Sequence, residues 1–105
     1  MAKWTDIGAK EDFGTKTCVT AGKVPLVICQ VEGGWHGIVN VCPHAGLPLG
    51  EGDLTGKVLT CPFHGYAYDV TSGKNIDYAD DVPADAVQVR ITDSGRVEVD
   101  LEGFE

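Results

Sequence analysis

The sequence predicts an all-β fold, a sandwich or barrel of short strands, and three observations support this prediction. Helix signals are poor because 14 glycines and five prolines divide the 105 residues into short pieces. Most of these pieces are rich in β-branched residues and alternate between apolar and polar positions. Turn sequences recur between them, as in sandwiches and barrels. With 43% apolar residues the chain can bury one modest core, so we expect a single domain over residues 1–105.

The predicted strands form two hairpins and three single strands. The first hairpin joins residues 15–20 to residues 24–31 around a turn at 21–23, and the last joins 87–92 to 96–101 around a turn at 93–95. Between the hairpins we expect strands at 37–41, 57–60 and 66–70, with a turn at 71–73. The first two of these strands lead directly into cysteines.

The charge distribution limits the classes of partner. Sixteen acidic residues against eight basic ones give a formal charge of −8, which repels nucleic acid and anionic membrane surfaces. Residues 77–105 hold nine acids against Arg90 and Arg96, a net of −7. This region is either a solvated, solubilising end or a surface that steers a partner with a basic docking face.

The N-terminal residues show no apolar signal segment, and no run of 18 apolar residues occurs in the chain. We therefore expect a cytoplasmic protein without a membrane partner. Four cysteines in the cytosol indicate metal ligands or free thiols in preference to disulfides.

Two short segments carry the chemistry. In the first, Cys42 and His44 are two residues apart; in the second, Cys61 and His64 are three apart, and 16 residues separate His44 from Cys61. Each segment follows a predicted strand and ends in glycine, which predicts a tight loop that presents one thiolate and one imidazole. Two sulfur and two nitrogen ligands suit either tetrahedral zinc or an iron–sulfur centre.

The pattern C-x-H-(16)-C-x-x-H resembles the signature of the Rieske family, and residues 46–49, Gly65, residues 68–69 and the turn at 71–73 agree with it. The resemblance implies a Rieske-like sandwich with a small cluster-binding subdomain of two loops, about residues 40–70. It also implies one [2Fe–2S] cluster, with Cys42 and Cys61 on one iron and His44 and His64 on the other. Zinc sites usually pair like ligands within a loop, so the crossed arrangement favours iron. A zinc-stabilised binding module is the alternative, and it would be colourless.

The resemblance also assigns supporting residues around the cluster. Backbone N–H groups near Gly46, Leu47, Gly65 and Tyr66 are expected to point at the sulfurs, and the Tyr68 hydroxyl to reach the sulfur of Cys42. A third loop at residues 82–84, containing Pro83, would cover the cluster from the side.

High-potential members of the family have extra cysteines, which would fall here at Leu47 and Phe63, and a serine at the position of Tyr66. Their absence removes a disulfide and a hydrogen bond to sulfur. Hydrogen bonds to sulfur stabilise the reduced state, so we predict the lower half of the Rieske range of roughly −150 to +300 mV.

The function that the resemblance implies is that of a ferredoxin, not an enzyme. The chain would be a monomer when free, would accept electrons from a flavin-dependent reductase and would pass them to a terminal oxygenase. The alternative is a fixed Rieske-like small subunit of a larger reductase such as nitrite reductase.

Three further residues are tempting but are expected to have no special role. His36 lies in a glycine-flanked turn and is predicted to be a surface residue. Cys18 and Cys29 are predicted to be buried free thiols, with Cys18 opposite Leu26 and Cys29 opposite Thr15 in the first hairpin.

Overall fold

The computed structural model of the chain describes residues 2–42, 46, 48–62, 65–77 and 83–104. These residues form ten strands and two short 3-10 turns, at Lys10–Asp12 and Leu49–Glu51, and they contain no α-helix. In chain order the strands are β1 (Trp4–Ala9), β2 (Lys16–Ala21), β3 (Val24–Val31), β4 (Gly34–Val39), β5 (Asp53–Thr55), β6 (Val58–Thr60), β7 (Ala67–Asp69), β8 (Ala86–Val87), β9 (Val89–Ile91) and β10 (Arg96–Asp100). Within this described part, no helix is long and apolar enough to cross a bilayer.

The strands form three antiparallel sheets. The central sheet has the order β2-β3-β4-β8, a second sheet has the order β1-β10-β9, and a third has the order β5-β6-β7. The predicted all-β antiparallel fold is therefore confirmed.

The central sheet is buried on both faces. Along β3, Leu26 and Ile28 pack into an apolar cluster with Val97 and Val99 of β10. The alternate residues of β3, including Val27, pack on the opposite side, against the third sheet and both cysteine loops. Burial on two faces explains why β3 reads as a continuous apolar run and not as an alternating one.

The first hairpin has a tighter turn than the sequence suggested. The turn contains only Gly22 and Lys23, and Ala21 pairs with Val24. Two-residue turns match the twist of paired strands, and Gly22 supplies the positive φ of 62° that such a turn requires. The register is therefore shifted by one residue from the predicted one.

This shift corrects the placement of the two hairpin cysteines. Cys18 lies opposite Val27 and not Leu26, and Cys29 lies opposite Lys16 and not Thr15. A slip of one residue moves a side chain to the other face of a strand, so Cys18 and Cys29 share a face of the sheet instead of lying on opposite faces.

The predicted strand at residues 87–92 is divided between two sheets. Its first part belongs to β8, which pairs with β4, and its second part is β9, which pairs with β10. Strand β1 was not predicted, because its sequence WTDIGA has no clear alternation. Its backbone pairs with β10 along its length, with an irregularity between Asp6 and Gly8.

Candidate metal centre

The two cysteines of the motif lie in one buried layer. Cys42 follows β4 and Cys61 follows β6 directly, and their relative exposures are 0% and 1%. Both belong to the apolar cluster between the central sheet and the third sheet, together with Tyr68. The structure thus brings the two predicted sulfur ligands into a common environment that excludes water. The predicted nitrogen ligands, His44 and His64, lie outside the described residues.

A glycine-closed turn follows each cysteine. The N–H of Gly46 donates to the Cys42 carbonyl at 2.8 Å, and the N–H of Gly65 donates to the Cys61 carbonyl at 3.0 Å. Both glycines have a positive φ, 66° and 73°, which a side chain would disfavour. The Cys61 N–H in turn donates to the Tyr66 carbonyl at 2.7 Å. The second loop is therefore closed from both directions.

The expected hydrogen bonds from backbone N–H groups around these turns to the sulfurs stay a prediction. In the turns themselves, the Gly46 and Gly65 N–H groups each donate to a carbonyl oxygen. Leu47, another residue of this predicted set, lies outside the described part of the chain.

Tyr68 connects the third sheet to the first cysteine. It is fully buried in β7, and its hydroxyl oxygen lies 4.0 Å from the Cys42 Sγ. Its backbone pairs with Leu59 in β6 and forms a bridge to Asn75. The ring is therefore held by the strands on both sides, at the sulfur that the resemblance indicated.

The third loop contacts the same layer. Ala84 is 3% exposed and packs in the apolar cluster that contains both cysteines, whereas Pro83 is exposed. The Ala84 N–H donates to the Gly73 carbonyl at 2.8 Å, and a Cβ at Gly73 would collide with the Ala84 carbonyl. The turn after β7 thus fixes the Ala84 end of the third loop. Val82 lies outside the residues that the structure describes.

Sequence reasoning missed a group of residues that link the cysteine loops to the central sheet. The Oδ1 of Asn40 accepts the N–H of Gly50 at 2.6 Å, and the Nζ of Lys16 donates to the Gly52 carbonyl. Asn40 is polar and directly precedes the first loop, which was a usable signal. Lys16 is distant in sequence and gave none.

The three remaining candidates differ in their environments. Cys29 is buried, and desolvation raises the pKa of its thiol to about 11. Cys18 is exposed, so the prediction of burial was wrong for it; β2 is an edge strand of the central sheet. Both thiols are free, as predicted. His36 is half-buried and lines a surface cavity of about 320 Å³ with Thr71, Ser72 and Gln88.

The described residues fit an iron–sulfur cluster. Two buried thiols could not ionise at reasonable cost without a cation to bind them, and a [2Fe–2S] core supplies that charge. The nearby Tyr68 hydroxyl offers a hydrogen bond to a thiolate, the kind of contact that tunes iron–sulfur centres. Among the residues that the structure describes, Cys42 and Cys61 would bind the cluster.

Comparison with known proteins gives a consistent answer. The Rieske [2Fe-2S] domain family matches residues 3–92. Ferredoxin CarAc of Metapseudomonas resinovorans is 32% identical over 84% of this chain and 85% of its own length. The ferredoxin component of the naphthalene 1,2-dioxygenase system of Pseudomonas putida is 32% identical over 69% and 71%.

Solved structures agree with the sequence relatives. A chain from a complex of reduced oxygenase and oxidized ferredoxin in carbazole 1,9a-dioxygenase has a TM-score of 0.81 and 32% identity, with 92% of each chain covered. A chain provisionally described as the small subunit of an NADH-dependent nitrite reductase from Mycobacterium tuberculosis has a TM-score of 0.80 at 22% identity, covering 95% and 96%. The second match shows the fold alone. The chain belongs to the Rieske family, and its cofactor is one [2Fe–2S] cluster.

Proposed function

We propose that this chain is a one-electron carrier that takes electrons from a flavin-dependent reductase and delivers them to a terminal oxygenase. The observation that carries this proposal is the 32% identity to ferredoxin CarAc over 85% of that ferredoxin's length. The cluster supplies the chemistry by accepting one electron and returning it. The protein binds no organic substrate of its own, acts in the cytoplasm and is a monomer when free.

The ligands in this proposal are Cys42 and Cys61 on one iron and His44 and His64 on the other. The burial of both cysteines in one apolar layer supports the sulfur half of this assignment. The cluster-binding part would span about residues 40–70 of a single domain over 1–105, with Gly46, Leu47, Gly65, Tyr66, Tyr68 and Pro83 around the cluster. Imidazole ligands on the electron-accepting iron raise its potential relative to thiolates.

The potential is proposed to lie in the lower half of the Rieske range, roughly −150 to +300 mV. Neither Leu47 nor Phe63 can form the disulfide of the high-potential class, and Tyr66 replaces its serine donor. A low potential suits delivery of electrons to an oxygenase and disfavours oxidation of quinol.

The acidic residues that steer docking are those of the third loop region more than those of the last hairpin. In the hairpin, Glu98 is paired with Arg90 at 2.7 Å, and the Asp100 carboxylate accepts the Lys3 N–H at 2.8 Å. Asp85, in contrast, is exposed beside Ala84, and its carbonyl binds the N–H of Val39 at the end of β4. Asp85 directly follows Ala84, which packs in the cluster that holds both cysteines, so its charge lies one residue from that layer, whereas Asp93 lies in the β9–β10 turn.

Stopped-flow reduction by the partner reductase, followed by reoxidation by the terminal oxygenase, tests this function. We expect both steps to be fast and to slow steeply as salt is raised, because exposed charges are screened. The variant Asp85→Asn should weaken the salt dependence more than Asp93→Asn, which removes an equal charge from the β9–β10 turn. Rates that do not change with ionic strength would contradict electrostatic docking.

The nitrite reductase alternative predicts a different assembly. A fixed subunit would co-elute with a larger enzyme in gel filtration and would not support turnover as a separate component. Turnover of an oxygenase by added free ferredoxin excludes this alternative.

A further inference from the structure

We propose that Lys16 is a positioning residue for the [2Fe–2S] cluster and acts through a segment that we call the brace, residues 49–52. The brace comprises the 3-10 turn Leu49–Glu51 and Gly52, and in the chain it lies between the two cysteine loops. The proposal rests on the ligand assignment above, because the brace contacts the segments that carry Cys42 and Cys61.

The first contact joins the brace to the chain before Cys42. The Asn40 side-chain oxygen accepts the Gly50 N–H at 2.6 Å, and the Asn40 N–H donates to the Pro25 carbonyl of β3 at 2.9 Å. Asn40 is therefore held by the central sheet while it holds the brace. Because Cys42 follows two residues later, a displacement of the brace would be transmitted to the first sulfur ligand.

The second contact joins the brace to the chain before Cys61. Gly52 is buried, and it packs so closely on the Thr60 carbonyl that an added Cβ would collide with that oxygen. The Gly52 N–H donates to the Leu49 carbonyl at 2.9 Å and closes the turn. Thr60 directly precedes Cys61, so the position of Gly52 constrains the second sulfur ligand.

Strand β2 supplies the outer support of the brace. The Lys16 ammonium donates to the Gly52 carbonyl, and the Cys18 Sγ occupies the space that a Gly50 side chain would need. Lys16 and Cys18 are two residues apart and therefore lie on the same face of β2, so the strand contacts both Gly52 and Gly50. The Lys16 side chain is half-buried, which leaves its charged hydrogen bond less screened than one on the open surface.

The Lys16 charge also has a redox consequence. Reduction adds one negative charge to the cluster, and a fixed cation on the cluster-bearing side favours that state. Loss of Lys16 should therefore lower the midpoint potential as well as loosen the loops. A residue that only contributed to general stability would leave the potential unchanged.

The test compares Lys16→Met and Lys16→Arg with a charge-matched control, Lys23→Met, which removes an exposed lysine from the β2–β3 turn. In the cluster-loaded protein we expect Lys16→Met to release iron to a chelator about tenfold faster, as for the loss of one charge-assisted hydrogen bond. It should also lower the midpoint potential and accelerate amide hydrogen exchange in residues 49–60. Lys16→Arg should restore all three, and Lys23→Met should match the wild type.

Two results would overturn the proposal. One is a Lys16→Met protein that matches Lys23→Met in iron release and potential. The other is faster exchange that is equal in β9 and β10, which would show a loss of global stability only. The variant Cys61→Ser tests the ligand assignment separately from the role of Lys16. A Cys61→Ser protein that keeps its cluster would contradict the assignment of Cys61 as a ligand, whereas the two results above would contradict the role of Lys16 and the brace.

Discussion

At the scale of residues, we expect the Tyr68 hydroxyl to affect the cluster most directly. It lies 4.0 Å from the Cys42 sulfur inside a fully buried environment. The variant Tyr68→Phe should keep the fold and lower the midpoint potential, because a hydrogen bond to sulfur stabilises the reduced state. Tyr66→Ser should raise the potential by supplying the donor found in the high-potential class. Redox titration of both variants checks the opposite signs, and shifts of the same sign would contradict the assignment.

Thiol labelling gives a second residue-scale prediction. Burial raises the pKa of the Cys29 thiol to about 11, so this group stays protonated and unreactive at pH 8. Cys18 is exposed on an edge strand. We expect iodoacetamide to add one group per cluster-loaded chain, at Cys18, as measured by mass spectrometry, because the proposed ligands Cys42 and Cys61 are protected by iron. Labelling of Cys29 at a comparable rate would show that β2 opens in solution.

At the scale of elements, the turn after β7 anchors the third loop through Gly73. This glycine has a φ of 82°, and it packs directly against the backbone of Ala84. The variant Gly73→Ala should displace residues 83–84, so that the third loop no longer shields the buried layer. We therefore expect the visible absorption of its cluster to bleach several-fold faster in air. Gly14→Ala is the matched control, since a Cβ there meets nothing within 4 Å. Equal bleaching rates in the two variants would exclude a shielding role for this loop.

The same turn contains an acid whose ionisation stabilises it. Burial by itself raises the pKa of Asp69, but hydrogen bonds from the Thr71 hydroxyl and N–H, together with the Lys57 ammonium, outweigh it and hold the pKa below that of a free aspartate. A carboxylate with a lowered folded pKa stabilises the fold above its unfolded pKa, and this contribution is lost as pH falls through the folded value. Asp69→Asn should therefore cost about 1 kcal/mol of unfolding free energy at pH 7.

The difference between Asp69→Asn and the wild type should narrow as the pH is lowered below about 4. Urea unfolding followed by far-UV circular dichroism measures it, with Asp77→Asn as an exposed control of equal charge. A difference that stays constant with pH would mean that the amide disturbs packing and that the charge is irrelevant.

Element-scale prediction succeeded where the pattern was local. The turn residues and alternation around residues 93–95 located the last hairpin, and the glycines after each cysteine located the two loops. The register of the first hairpin was missed because the sequence of residues 21–23 is compatible with a two-residue turn and with a three-residue turn. The division of residues 86–91 between two sheets was missed because alternation does not specify which strand is the neighbour.

At the scale of the whole molecule, the central sheet connects the cluster side to the rest of the fold. One face of β3 packs on β10, and the other packs on the layer that holds Cys42 and Cys61. The motif indicated that Cys42 and Cys61 belong to one site, and both lie in that layer; the placement of His44 and His64 stays a prediction. It could not predict the support from Lys16, because that contact depends on how β2 meets residues 49–52 in space.

The central claim is that two histidines and two cysteines hold one [2Fe–2S] cluster, and pulsed EPR on reduced protein with ¹⁵N-labelled histidine tests it most directly. We expect two strongly coupled imidazole nitrogens, from His44 and His64, and an unchanged spectrum in His36→Ala, which removes the third histidine. A spectrum with one coupled nitrogen or none, or the loss of a coupling in His36→Ala, would contradict the account.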